Sequence, residues 1–255
     1  MTTAILISAR LKSTRLKKKV IRQILGRPMI AHLIDRLKLS NEAGHIVLCT
    51  STVEQDQPLR TIAASAGIGA FLGHPDDVLV RLRDAAQQFD ADEIVSCTAD
   101  NPFIDPFHLD YLVRCGRERG LDYGIVRDLP FGITGHYVRR EALEKACRIK
   151  DDVNTEFWPE YFTESGVFKI GEVEPMDPRF VRPDLRLTVD YAEDLALVTR
   201  VFEALYKEEG IFSLAQIIDF LDANPNVRSL NANMEQAPRD RPTLKPREEW
   251  RQLLA

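Results

Sequence analysis

Short apolar runs alternate with amphipathic segments through the first half of the chain. The apolar runs are rich in β-branched residues and predict strands, and each is followed by a segment with the helical repeat of apolar positions. The predicted strands cover residues 4–8, 46–50, 69–72 and 93–98, and the predicted helices cover residues 28–39, 58–66, 78–89 and 107–119. Such alternation is typical of right-handed βαβ units, so we expect a three-layer α/β/α fold with a mostly parallel central sheet.

The alternation breaks after residue 121. Residues 133–138 predict a strand, 140–148 a helix, 157–174 aromatic-rich segments with hairpin character, 185–189 a strand, and 192–206 and 214–221 helices. We therefore expect one domain over residues 1–255, in three parts. These are a nucleotide-binding half (1–120), a smaller inserted acceptor-binding and dimerisation region (121–185), and a return to the sheet with a C-terminal helical tail (186–255).

Composition narrows the class of protein. With 255 residues, 44% of them hydrophobic, the chain can bury the core of one large α/β domain. There is no apolar run near 18 residues and no signal-peptide pattern, so we expect a soluble cytoplasmic protein without a membrane partner. The four cysteines are scattered, which predicts small core residues in a reducing compartment. The net charge of −5 argues against nucleic acid as a partner.

The first 35 residues are positively charged, in contrast to the chain as a whole. Eight Lys or Arg residues precede Asp35, which is the first acidic residue of the chain. All eight follow the first predicted strand, where a parallel sheet presents its loops at the carboxyl edge, and the hydroxyls of Ser13 and Thr14 lie among them. This pattern indicates a loop that binds a polyanion. A solvated basic turn is the alternative that charge alone would favour.

Several motifs occur in a characteristic order. They are Ser-Ala-Arg at 8–10, Ser-Thr-Arg-Leu at 13–16, Lys-Val at 19–20, Gly-Arg-Pro-Met-Ile at 26–30, the segment 73–81, Thr-Ala-Asp-Asn-Pro-Phe-Ile-Asp-Pro at 98–106, and Arg-Leu-Thr-Val-Asp-Tyr-Ala-Glu-Asp-Leu at 186–195. Together they resemble the sugar-activating cytidylyltransferases. The chain is most similar to the spore coat polysaccharide biosynthesis protein F group, with the CMP-ketodeoxyoctonate and CMP-acylneuraminate synthetases as more distant relatives.

The resemblance implies a Rossmann-like nucleotidyltransferase fold, CTP and a small acidic acceptor as ligands, Mg²⁺ as cofactor, and a homodimer. It implies catalytic roles for Arg10, Lys19 and Arg15, whose charges suit the phosphates of CTP. The residues implied in nucleotide binding are Ser8, Ala9, Arg10, Ser13, Thr14, Arg15, Lys19, Asp77 and Asp100. The chain departs from the family at Lys12, where a small residue is usual, and at Lys17 and Lys18, where Pro-Gly is usual.

Two carboxylates follow predicted strands. Asp100 ends the run 94–97 and precedes Asn-Pro, and Asp190 follows the run 185–189. Each has a local alternative, because Asp100 could form a turn and Asp190 could cap a helix with Glu193 reaching back. At two strand ends, however, they match the one or two protein carboxylates that Mg²⁺ commonly takes beside substrate phosphates. The resemblance implies that both bind Mg²⁺.

The acceptor side is less specific in sequence. The resemblance places polar residues there, namely His136, Asn154, Glu156, Arg182 and Arg186. His136 on a strand is also consistent with a structural role. Asp77, within Pro-Asp-Asp, is equally consistent with the start of a helix. The aromatic stretch 157–168 would be an exposed apolar surface in a lone chain, which supports the expected homodimer.

The sequence predicts a CTP-dependent enzyme that transfers CMP to an acidic sugar, a sugar phosphate or a similar acidic metabolite, with release of pyrophosphate. Surface glycan or related biosynthesis is the expected use. A nucleotide-sugar-dependent glycosyltransferase is one alternative, although the Asp-x-Asp pair usual in such enzymes is not evident. A non-catalytic nucleotide-binding member of the family is another, supported by the changes at Lys12, Lys17 and Lys18.

Overall fold

The computed structural model describes residues 1–13, 15–207, 210–236 and 243–253. The strands are β1 (Thr3–Ser8), β2 (Gln23–Ile24), β3 (Arg27–Pro28), β4 (Ala43–Ser51), β5 (Gly69–Gly73), β6 (Glu93–Thr98), β7 (Tyr123–Val126), β8 (His136–Arg139) and β9 (Ile170–Val173). The α-helices are α1 (Met29–Leu37), α2 (Gln57–Ser65), α3 (Val78–Gln88), α4 (Pro106–Arg119), α5 (Arg140–Ile149), α6 (Pro159–Thr163), α7 (Ala192–Leu205), α8 (Leu214–Ala223), α9 (Pro225–Arg228) and α10 (Arg247–Leu253).

Seven strands form the central sheet, in the order β5-β4-β1-β6-β8-β7-β9. β1 is parallel to both of its neighbours, and Ser8 at its end lies opposite Cys49 of β4 and Thr98 of β6. The chain leaves β1 towards β4 and β5 and then crosses back to β6 on the other side. The carboxyl ends of β1 and β6 therefore flank a topological switch point, where α/β sheets bind their ligands.

The predicted alternation is confirmed. The four strands and four helices predicted in residues 1–120 are all present, with ends within three residues of those expected. β1 shows why the pattern is readable, because Ile5 and Ile7 are buried in one core cluster while Ala4 and Leu6 are buried in the other. Strands covered on both faces are apolar at every position, which distinguishes them from the amphipathic helices between them.

Residues 121–185 contribute three strands to this same sheet. β7 lies in a segment where no strand was predicted, and β8 begins later than expected and runs antiparallel to β6 and β7. The predicted hairpin over 157–174 is wrong, because this segment forms the short helix α6 and the strand β9, and β9 pairs with β7. Pairing with a strand some 47 residues earlier leaves no local signal in the sequence.

The predicted strand at 185–189 is also wrong. It makes a single bridge, between Arg186 and Phe131, because its amides bond to loop residues and not to a strand. Leu187 N donates to Phe131 O at 2.8 Å, and Val189 N donates to Asp100 O at 2.9 Å. This segment therefore lies beside the loop that follows β6, which brings Asp190 next to Asp100.

The aromatic segment is buried within its own chain. Trp158, Tyr161 and Phe162 are each less than 5% exposed, and the ring of Phe162 stacks on Tyr123 at 5.2 Å between centroids. The expectation that residues 157–168 form an exposed apolar surface is therefore wrong, since β7 and α5 supply its partners. This segment therefore no longer supports the expected homodimer, which stays a prediction.

The cysteines lie in or beside the core. Cys49, Cys97 and Cys115 are buried and Cys147 is partly buried, all as free thiols. Burial raises the pKa of the Cys49 and Cys147 thiols to about 12, which makes them poor nucleophiles near neutral pH. Within the described ranges, no helix combines the length and apolar character needed to cross a bilayer.

Candidate active site

A cavity of about 350 Å³ opens at the carboxyl ends of β1 and β6. The loop after β1 forms one wall, the turn before α3 another, and residues 154–158 a third. Most of the residues implied in nucleotide binding line this cavity. The lining comprises Ser8, Ala9, Arg10, Lys12, Ser13, Arg15, Lys19, Val20, Pro75, Asp76, Val78, Arg81, Thr98, Ala99, Asp100, Asn154, Glu156 and Trp158. Thr14 lies outside the described residues.

Lys19 joins the two predicted carboxylates. Its Nζ atom lies 2.7 Å from Asp100 Oδ2 and 2.8 Å from Asp190 Oδ1. Arg15 donates to the same oxygen of Asp190 at 2.8 Å, and its guanidinium lies over the ring of Tyr191 at 5.1 Å. Asp100 lines the cavity, whereas Asp190 contacts Lys19 but does not line the cavity and is only 5% exposed. Four residues separated by up to 175 positions thus form one cluster.

The ion pairs control the pKa values of this cluster. Burial raises the pKa of Asp190, but the ammonium of Lys19 and the guanidinium groups of Arg15 and Arg186 outweigh it and lower the pKa below 3.8. Burial lowers the pKa of Lys19, but Asp100 and Asp190 outweigh it and raise the pKa above 10.5. Asp190 and Lys19 are therefore both charged near neutral pH.

These shifts predict a pH-dependent contribution to stability. Because the pKa of Asp190 is depressed by folding, its contribution is complete above about pH 4 and is lost as the pH falls through the folded-state pKa. The pKa of Lys19 is raised by folding, so its contribution to stability is complete at neutral pH and is lost only as the pH rises into strong alkali. We expect the difference in unfolding free energy between wild type and Asp190→Asn to be constant from about pH 5 to 9 and to shrink below about pH 4. Urea denaturation across this range measures it, and a difference that stays constant in acid would contradict the assignment.

The two carboxylates suit a divalent cation. Asp100 and Asp190 already converge on one positively charged atom, the Lys19 nitrogen. Within the described part of the chain, no three His, Cys, Asp or Glu side chains are grouped to bind a metal. A cation here would take two protein carboxylates and draw its other ligands from phosphate and water, which is how Mg²⁺ commonly binds in nucleotide sites.

Arg186 and Asp194 anchor Asp190. Arg186 donates to Asp190 Oδ2 at 2.8 Å and to Asp194 Oδ1 at 2.9 Å. Asp194 is fully buried and also accepts from the backbone amides of Asp190 and Tyr191, both at 2.9 Å, and from Asn231 at 2.8 Å. The predicted cap by Glu193 is replaced by Asp194, one residue later. Arg186 does not line the cavity, so the expected contact with an acceptor is not seen.

Arg10 lies on the opposite side of the cavity. It donates to Asp76 Oδ1 at 2.9 Å and to the carbonyl oxygen of Pro75, and its Nε lies 3.4 Å from Asp56 Oδ2. Asp56 is buried and accepts from Leu11 N at 2.7 Å, which fixes the start of the basic loop. No local pattern predicted this anchor, because Asp56 lies on a different crossover.

Lys18 explains one departure from the family pattern. It precedes the 3₁₀ turn Lys19–Ile21 with φ of 52°, in the left-handed region that glycine adopts most readily. The backbone geometry that a glycine would favour is therefore present despite the lysine. The exposed side chains of Lys17 and Lys18 add positive charge without an ion pair among the described residues.

Asp77 has a structural role. Its side chain caps α3 by accepting from Val80 N at 3.1 Å, pairs with Lys150 at 2.5 Å and accepts from Thr155 Oγ1 at 3.0 Å. It is 5% exposed and does not line the cavity. The alternative interpretation, the start of a helix, is confirmed, and the expected nucleotide contact is not seen. Asp77 also connects α3 to the segment that carries Asn154 and Glu156.

The residues expected at the acceptor side divide into two groups. Asn154 and Glu156 line the cavity, together with Trp158, which the motifs did not single out. His136 lies behind Trp158, with ring centroids 5.4 Å apart, and its Nδ1 is 2.7 Å from the hydroxyl of Tyr123. Arg182 lies elsewhere, paired with Asp184 and Asp222 at 2.9 and 2.8 Å. Neither His136 nor Arg182 lines the cavity, so the expected contact of these two residues with an acceptor is not seen.

Comparison with protein-family models decides the class. The cytidylyltransferase model matches residues 4–174, which include the basic loop, Asp100 and the cavity segment 154–158. The chain belongs to the cytidylyltransferase family. It is thus a nucleotidyltransferase enzyme, as the sequence predicted, on a Rossmann-like sheet.

The relatives include both characterised and uncharacterised proteins. The uncharacterized protein MJ1063 of Methanocaldococcus jannaschii is 31% identical over 91% of this chain and 95% of its own. The spore coat polysaccharide biosynthesis protein SpsF of Bacillus subtilis is 29% identical over 87% and 94%. The 3-deoxy-manno-octulosonate cytidylyltransferase of Chlorobium limicola is 34% identical over 43% and 44%.

Solved structures share the fold. A cytidylyltransferase from Leptospira borgpetersenii has a TM-score of 0.83 at 25% identity and covers 94% of this chain and all of its own. A CMP:2-keto-3-deoxy-manno-octonic acid synthetase in complex with CTP has a TM-score of 0.61 at 17% identity, over 80% and 99%. Rv0371c of Mycobacterium tuberculosis, in complex with manganese, has a TM-score of 0.56 at 15% identity, over 80% and 99%.

Proposed function

We propose that this enzyme transfers CMP from CTP to an acidic sugar, a sugar phosphate or a similar acidic metabolite and releases pyrophosphate. The observation that carries the proposal is one cavity at the switch point of the sheet, lined by Arg10, Arg15, Lys19 and Asp100. A triphosphate brings about four negative charges that must be balanced before a second anion can approach. These three cations would offset most of that charge, and Mg²⁺ would offset the remainder.

The reaction is an in-line displacement. An oxygen of the acceptor forms a bond to the α-phosphorus, the bond from that phosphorus to the bridging oxygen breaks, and pyrophosphate leaves with the electron pair. A phosphate or carboxylate acceptor needs no base, whereas a hydroxyl acceptor must also lose its proton. Arg10, Arg15 and Lys19 would bind the phosphates and stabilise the departing pyrophosphate, Arg through its planar fork and Lys as a movable charge.

Asp100 and Asp190 would hold Mg²⁺. Their carboxylates converge on Lys19 Nζ, which supports the assignment. When bound, the ion offsets negative charge on the α-phosphate and orients the leaving group. Arg186 and Asp194 keep Asp190 in place for this role.

The third wall of the cavity would bind the acceptor. Asn154 and Glu156 offer polar groups, and Trp158 offers an apolar face beside them. Ser8, Ala9 and Ser13 lie on the side of the basic loop, where we place the nucleotide. SpsF is named for spore coat polysaccharide biosynthesis, and the Chlorobium relative acts on 3-deoxy-manno-octulosonate, which supports a role in surface glycans. A cytoplasmic homodimer fits this role and remains part of the proposal.

Product analysis tests the reaction. The enzyme is incubated with CTP, Mg²⁺ and a panel of sugar acids and sugar phosphates, and pyrophosphate and CMP conjugates are measured by coupled assay and mass spectrometry. We expect equal amounts of pyrophosphate and one CMP conjugate. Release of a nucleoside diphosphate from a nucleotide sugar, with no pyrophosphate from CTP, would instead support the glycosyltransferase.

A further inference from the structure

The ammonium of Lys19 lies where the two carboxylates converge. Its nitrogen is 2.7 Å from Asp100 and 2.8 Å from Asp190, and the side chain is only 14% exposed. The lysine thus places a positive charge at the position that a divalent cation held by both carboxylates would take. A metal ion and Lys19 cannot take the same position between these two oxygens.

The surrounding charges are already balanced. Three cations pair with three carboxylates in this cluster. The cations are Lys19, Arg15 and Arg186, and the carboxylates are Asp100, Asp190 and Asp194. A divalent ion added to this cluster alone would leave it with two excess positive charges in a partly buried site. The same ion arriving with a triphosphate would instead enter a cluster with excess negative charge.

We propose that Lys19 blocks the cation site of the free enzyme, so that the divalent ion enters only with the nucleotide that draws Lys19 away. This inference rests on the proposed function, since it requires a phosphate ligand to attract the lysine. Lys19 suits the task because its flexible stem carries a compact charge that can move between carboxylate and phosphate oxygens. Arg186 would remain on Asp190, because it also holds the fully buried Asp194. Arg15 can keep one guanidinium nitrogen on Asp190 while its other donors bind phosphate.

Metal binding to the nucleotide-free protein tests the blocking role. Mn²⁺ alone serves as the probe, and free Mn²⁺ is measured by electron paramagnetic resonance. We expect weak binding by wild type and about tenfold tighter binding by Lys19→Met, within the ~5–150-fold range of typical site couplings. Lys17→Met is the matched control, because it removes an exposed lysine of the same loop. The double variant Lys19→Met with Asp100→Asn should return to weak binding, which would place the gained site at Asp100.

Equal Mn²⁺ affinity in wild type and Lys19→Met would overturn the inference, and so would equal tightening in Lys17→Met. Circular dichroism confirms that each variant is folded, and Lys19→Gln replaces the methionine variant if that one is not. Calorimetric binding of CTP to wild type is measured separately. Its failure would remove the proposed function, whereas intact CTP binding with unchanged Mn²⁺ affinity would remove only the role of Lys19.

Discussion

Asp100→Asn should lower turnover by at least ~10²-fold while the protein stays folded. The substitution keeps the shape of the side chain and removes the negative charge that we assign to the divalent ion. Asp100 is 24% exposed at the side chain and pairs with Lys19. The loss of stability should therefore stay within about 1 kcal/mol, as for other partly exposed ion pairs. Steady-state kinetics with CTP and saturating acceptor measure the effect, and thermal melting measures the stability.

Asp90→Asn is the matched control. It makes the same chemical change at a side chain that is 97% exposed, and asparagine tolerates the positive φ of 47° at this position. We expect wild-type turnover from this variant. Near-normal turnover from Asp100→Asn would remove the proposed metal role of Asp100, whatever the outcome for the control.

Asp194→Asn should destabilise the fold and impair catalysis together. Asp194 is fully buried and accepts from Arg186, Asn231 and two backbone amides, so an amide nitrogen in place of one oxygen would face donors. Disruption of a buried ion pair costs about 3 kcal/mol or more. For a chain of this size that is a decrease of roughly 6–12 °C in Tm. Because Asp190 loses its anchor, turnover should also fall at least ~10-fold.

Glu203→Gln is the control for this variant. Glu203 lies on the same helix, α7, and pairs with Arg200 at the surface, so its loss should change stability by less than about 1 kcal/mol. Calorimetry and kinetics compare the two variants. An Asp194→Asn protein with wild-type Tm would show that the buried network contributes little. Lower stability with unchanged turnover measured well below the Tm would show that Asp194 does not position Asp190.

The strands and helices of residues 1–120 could be predicted from the sequence because their signals are local. Strands such as β1 are apolar at every position between their ends, and helices such as α1 have apolar residues every three to four positions, so each element can be recognised by itself. The loop after β1 and the turn at Asp100 follow directly from those strand ends. Asp77 shows the limit of a local signal, because the sequence supported a nucleotide contact and a helix start equally, and the structure has the helix cap.

The features that the sequence could not predict depend on contacts between residues that are far apart in the chain. β9 pairs with β7, which lies on the side of β8 away from β6. Arg186 was expected to bind the acceptor, but it holds Asp190 in place because Asp194 and Asn231 both contact it. The aromatic segment was expected to be exposed because its partner Tyr123 lies in β7, a strand that the sequence did not predict. Such features follow from tertiary packing, which a single sequence does not encode locally.

Nucleotide binding tests the central claim most directly. CTP, UTP, ATP and GTP are titrated in turn into the enzyme by calorimetry, with and without Mg²⁺. We predict that CTP binds with a marked preference over the other three and that Mg²⁺ strengthens its binding. No binding of any of the four, or an equal response to all of them, would contradict a CTP-dependent enzyme built around Lys19, Asp100 and Asp190.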